Sequence, residues 1–118
     1  MKTILMAIIF TFGFICSVFS QDKPTSAKSL PIMAWSGMPL EETTLDRFNE
    51  LKEMGITISL ATYPDITSMR KALDLAHKAG LKMVASCPEL KNDCEKTVSY
   101  FKDHPALAGY FLRDEPVR

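Results

Sequence analysis

The chain has 118 residues, enough for one domain of ordinary size, and its 14 basic and 14 acidic side chains leave a formal net charge of +0. No basic stretch announces a nucleic-acid partner, and none is expected.

The first twenty residues read apart from the rest. Met1-Lys2 gives a positive start, Ile4 to Val18 is almost wholly apolar, and Val18-Phe19-Ser20 before Gln21 resembles a signal-peptidase site. An apolar core of roughly 15 residues is short for a membrane span, which needs about 20. Residues 1–20 are therefore expected to be a signal peptide, with the product secreted or periplasmic and free of the membrane after cleavage. A lipoprotein attachment at Cys16 is disfavoured by the bulky Ile15 before it. Residues 21–30 are polar, lack apolar periodicity, and read as a flexible leader.

From residue 31 the chain alternates between strand and helix signals. Pro31 to Gly37 is a compact apolar run closed by a turn, the expected first strand. Leu45, Phe48, Leu51 and Met54 recur every three residues, which predicts an amphipathic helix over 43–54 stopped by Gly55. The β-branched run Ile56 to Thr62 is the second strand, ending at Tyr63-Pro64. Asp65 is placed to cap a second helix with Ile66, Met69, Leu73, Ala76 and Ala79 inward and Gly80 at its end. Leu81 to Ser86 is the third strand, broken by Cys87-Pro88. A third helix is expected from about Asn92-Asp93, with Cys94, Val98 and Phe101 on its buried side and an end enforced at His104-Pro105. The last strand runs from Ala108 and should stop at Asp114-Glu115, because Pro116 cannot donate to a sheet ladder.

The joint Glu53-Met54-Gly55-Ile56-Thr57-Ile58 is matched by Lys78-Ala79-Gly80-Leu81-Lys82-Met83, and strands start near 32, 56, 81 and 108. That spacing defines an α/β chain of repeated β/α units and, with right-handed connections, a progressive parallel sheet. An open sheet of this class usually has five strands and a (β/α)8 TIM barrel about 250 residues. Residues 31–118 are therefore expected to be the amino-terminal half of a barrel, truncated, with exposed strand edges that favour self-association.

Cys87 and Cys94 remain as an even pair once the signal is removed, which leaves a disulfide and two free thiols both open. His77 falls within a helix and His104 in a later turn, so no metal site is expected, and no cofactor-binding loop is present.

The carboxyl end of the fourth strand carries the chemistry. Gly109-Tyr110-Phe111-Leu112-Arg113-Asp114-Glu115-Pro116, preceded by His104-Pro105-Ala106-Leu107, resembles the fourth-strand motif of clan A glycoside hydrolases, especially β-galactosidase-like (family 42-like) barrels. The likeness extends over residues 31–116, including Trp35 after the first strand and Tyr63-Pro64 after the second, and is motif-specific over about ten residues. It implies a carbohydrate substrate and a retaining mechanism, with Glu115 as the general acid/base and a second carboxylate supplied by a seventh strand. Many clan members carry Asn where this chain has Asp114; Asp can only accept hydrogen bonds unless protonated, and it sets a like charge beside Glu115. Asp114 is expected to orient substrate.

Strand parity puts Arg113 and Glu115 on one face and Asp114 on the other, so both acids reach one site only if a bulge or the strand end breaks the alternation. A buried ion pair of Arg113 with either acid is the non-catalytic reading. Trp35 can stack on a sugar or simply pack, and Tyr63 can line the mouth or cover the second helix; both are candidate substrate-binding residues. Glu89 reads as a solvated loop acid. The alternatives to an enzyme are a non-catalytic carbohydrate-binding or structural module on the same scaffold, or a small open α/β domain.

Overall fold

A computed structural model describes residues 30–114. The signal segment, the leader up to residue 29, and Glu115 lie outside the described residues. Strands β1 (Met33–Ala34), β2 (Ile58–Leu60), β3 (Lys82–Ala85) and β4 (Leu107–Tyr110) form one sheet in the order β1-β2-β3-β4. Every neighbouring pair is parallel. Helices α1 (Leu45–Glu53), α2 (Ile66–Ala79) and α4 (Cys94–Phe101) connect them, with a 3-10 turn at Leu40–Glu42 and a short helix α3 (Glu89–Asn92) in the connections. The chain is thus an α/β fold of repeated β/α units. Its strand order advances in one direction, so right-handed crossovers set the connecting helices on one face and no switch point arises.

Local chemistry accounts for the element ends. Asp65 caps α2, its carboxylate accepting from the Ser68 N–H at 2.7 Å and the Ser68 hydroxyl at 3.0 Å. Asp93 caps α4 and Thr44 caps α1 in the same manner. Gly55 and Gly80 take φ of +87° and +75°, the left-handed stops that only glycine adopts without strain.

The core lies between the helices and one face of the sheet. Phe48 of α1, Met69, Leu73 and Ala76 of α2, Met83 and Ala85 of β3 and Phe101 of α4 form one fully buried cluster. Ser59 aligns with Met83, and Met83 with Leu107, on this covered face; Leu60, Val84 and Gly109 align on the opposite one. The opposite face is open at its two edges, where a Cβ added at Gly109 would meet nothing within 4 Å and Met33 and Trp35 are exposed, while Leu60 between them is buried.

Three expectations are corrected. The fourth strand ends at Tyr110, four residues short of Asp114. Its last ladder bond runs from the Phe111 N–H to the Ala85 carbonyl, and beyond Ala85 β3 has turned away at Cys87-Pro88, leaving no neighbour to pair with. Met54 is not inward but exposed, since α1 ends before it. Cys94 is exposed at the first position of α4, and Thr97 takes the buried place one turn on; Cys87 is buried, and both thiols are free.

Candidate functional site

Two clefts open at the carboxyl edge of the sheet, where the β/α loops gather. One, of about 350 Å³, is bordered by Ser86, Cys87, Lys91, Asn92 and Arg113. The other, of about 520 Å³, is bordered by Trp35, Gly37, Met38, Pro39 and Leu60. Thr62, Phe111 and Asp114 border both. Asp114 therefore stands on the ridge between a cleft bordered by an indole ring and one bordered by two cationic side chains.

The loops that build this edge are held by specific bonds. After β1, Gly37 lies so close to β2 that its N–H donates to the Leu60 carbonyl at 2.6 Å, and a Cβ there would stand 2.5 Å from that same oxygen. This close approach turns Trp35 toward the open face. Its indole, 60% exposed, meets the Phe111 ring edge to face at 5.6 Å between centroids. Between β2 and β3, the Thr62 and Ser86 hydroxyls lie 3.0 Å apart, fixing two hydrogen-bonding groups at the border of the smaller cleft.

The early end of β4 also bears on Arg113 and Asp114. Residues 111–114 follow no ladder, so strand alternation does not govern them, and Arg113 and Asp114 border the same cleft. A bulge upstream, where Met83 pairs Leu107 but Val84 pairs Gly109, shifts the strand by one residue as well.

Of the expected site residues, the fold brings Trp35 and Asp114 to one cleft. Glu115, next in sequence, lies outside the described residues. Tyr63 is elsewhere: it is 1% exposed, packed in the core, with its hydroxyl 3.2 Å from the Thr43 hydroxyl and its N–H on the Ser86 carbonyl. Burial raises the Tyr63 phenol above its ordinary pKa, while the Thr43 bond opposes that shift. Glu89 is not a solvated loop acid. One carboxylate oxygen accepts from the Ile66 N–H at 3.1 Å, at the start of α2, while the other is buried without a partner. Burial raises the neighbouring Cys87 thiol above its usual pKa, and the Glu89 carboxylate adds to the effect.

Phe111, Thr62, Ser86 and Lys91 were not singled out by sequence. Phe111 reads as strand core by hydropathy; the signal for its role is its place just before Arg113-Asp114, past the point where β3 can pair. Among the described residues no group of His, Cys, Asp or Glu is arranged to hold a metal ion, and no helix is long and apolar enough to cross a membrane.

Comparison with family models, curated proteins and solved structures gives no match.

Proposed function

We propose that this chain supplies the first four strands, with their three connecting helical segments, of a secreted or periplasmic (β/α)8 barrel that hydrolyses O-glycosidic bonds with retention, with Glu115 as general acid/base and Asp114 as its substrate-orienting neighbour. The observation that carries the reading is the position of Asp114 on the ridge between two clefts at the carboxyl edge of a sequentially ordered parallel sheet. In such sheets ligands gather at that edge, and the residue after Asp114 is the carboxylic acid that the mechanism requires.

The open face fits the barrel part of the proposal. All-parallel sheets are ordinarily covered on both faces, and here Met33 and Trp35 remain exposed opposite the helices. Four further β/α units would cover that face as the inside of a barrel and bring the second carboxylate to the same mouth.

On this reading Glu115 protonates the glycosidic oxygen as the bond to the leaving sugar breaks, and a carboxylate of a later strand attacks the anomeric carbon. Glu115 then takes a proton from the water that hydrolyses the glycosyl-enzyme. Trp35 and Phe111 offer an aromatic wall for the apolar face of a sugar ring, and Thr62 and Ser86 offer hydroxyl partners.

The test is turnover of aryl glycosides by the full-length protein and its Glu115→Gln variant. Loss of roughly 10²–10⁴-fold in kcat on substrates with poor leaving groups is expected for removal of a general acid. Unchanged turnover overturns the assignment of Glu115. Sugar binding without hydrolysis points to the non-catalytic module instead.

A further inference from the structure

The two clefts differ in chemistry, and the difference bears on the substrate. The wall around Trp35 and Leu60 presents an aromatic ring, Met38 and Pro39, and no charged side chain except the shared Asp114. The wall around Ser86 presents the Lys91 ammonium and the Arg113 guanidinium, against the same single carboxylate. Among the described residues neither cation is held in an ion pair; the ion pairs of basic and acidic side chains there use Arg47 and Arg70.

Lys91 and Arg113 come from different β/α loops, after β3 and after β4, and converge on one cleft of about 350 Å³. Ser86 and Asn92 border the same space and can bond hydroxyls. A guanidinium fork and an ammonium that border one cleft can together recognise carboxylate or sulfate oxygens, and their charge favours an anionic unit over a neutral one.

We infer that the cleft bordered by Lys91 and Arg113 is a subsite for an anionic saccharide unit, a uronate or a sulfate ester, set beside the aromatic subsite of Trp35 and Phe111. This rests on the reading of the site as carbohydrate-binding, and it narrows the substrate from glycosides in general to acidic oligosaccharides. The neutral neighbour unit lies on the Trp35 side, and the bond between the two units crosses the ridge at Asp114.

The experiment uses the full-length protein with two sets of paired oligosaccharides. One set is oligogalacturonides and glucuronate-bearing xylo-oligosaccharides, each beside its methyl ester; the other is sulfated oligosaccharides beside their desulfated twins. Hydrolysis is followed by reducing-end release, and binding by calorimetry. The expected result is a preference of about tenfold or more for the charged member of a pair, weakening as salt is raised. The set that shows the preference identifies carboxylate or sulfate.

In Lys91→Gln and Arg113→Gln the charged-to-neutral ratio should fall by about tenfold, and Arg113→Lys should restore part of it. Far-UV circular dichroism of each variant, matching the parent, establishes that it folds. Equal treatment of charged and neutral twins overturns the inference; if the neutral twins are hydrolysed, the glycosidase reading stands without it. Preferential binding of the charged twin without hydrolysis upholds the inference and removes the enzyme. No binding of any saccharide overturns both.

Discussion

The Trp35 and Phe111 rings meet edge to face, 89° apart in plane, although they follow the first and last strands of a four-stranded sheet. Three inter-strand steps of about 4.8 Å would separate those strands by about 14 Å in a flat sheet. The two side chains close this gap over the face that carries Leu60 and Val84.

That contact should be energetically real. A double-mutant cycle with Trp35→Ala and Phe111→Ala, followed by urea unfolding, is expected to give a coupling of about 0.5–1.5 kcal/mol, the range for edge-to-face aromatic pairs. Because Trp35 is the only tryptophan in the chain, its fluorescence reports the site directly. Phe111→Ala should alter the emission, and strictly additive cycles would show that the rings are merely adjacent.

Gly37 is the backbone position on which the Trp35 loop depends. A Cβ there would stand 2.8 Å from the Ser59 hydroxyl and 2.9 Å from the Ala61 Cβ, in addition to its clash with the Leu60 carbonyl. Gly37→Ala is therefore expected to cost about 1–3 kcal/mol in chemical denaturation, through displacement of the loop rather than backbone strain. Gly109→Ala, which meets open space, should cost nothing measurable. Similar losses at the two positions would contradict the packing of β1 against β2.

The repeated β/α pattern was readable because its signals are local. A glycine with positive φ ends a helix whatever lies around it, and an aspartate at an N-cap needs only the amides two or three residues on; hence Gly55, Gly80, Asp65 and Asp93 fell where expected. The misses concern residues whose place is decided by a neighbour far along the chain. Tyr63 looks like a rim aromatic until Thr43, twenty residues earlier, receives its hydroxyl in the core. Glu89 looks solvated until its carboxylate reaches the first turn of α2. The end of β4 depends on where β3 stops, which composition around Phe111-Leu112 does not reveal.

The thiols should separate by reactivity. Cys94 is exposed, whereas Cys87 is 5% exposed with its pKa raised by burial, so little thiolate forms at neutral pH. Iodoacetamide labelling of the native protein at pH 7.5, read by peptide mass spectrometry, is expected to modify Cys94 at least about tenfold faster than Cys87. Denaturant should erase the difference. Equal native rates would mean that the loop after β3 does not shield Cys87.

The contact between His104 and Asp74 links stability to pH. The His104 ring is buried, its Nε2 lies 2.9 Å from an Asp74 carboxylate oxygen, and its Nδ1 accepts from the Ala106 N–H at 3.1 Å. An Nδ1 that accepts carries no proton, so Nε2 is the donor to Asp74 in this arrangement. That bond, with a smaller contribution from Arg70, holds the Asp74 carboxyl below its ordinary pKa. The folded state thus binds a proton at Asp74 less readily than the unfolded chain, and stability rises with pH through the window between the lowered folded value and the unfolded value of about 3.9. The contribution is fully present above that unfolded value and is lost as pH falls through the folded one. Urea titrations should therefore show wild type more stable than Asp74→Asn at pH 6, with the gap narrowing below about pH 4. His104→Ala should cost about 1–3 kcal/mol at neutral pH, because the Ala106 amide loses its partner at the entrance to β4. His104→Asn, whose side-chain oxygen can still accept from that amide, should cost less; a gap between wild type and Asp74→Asn that does not change with pH would remove the linkage.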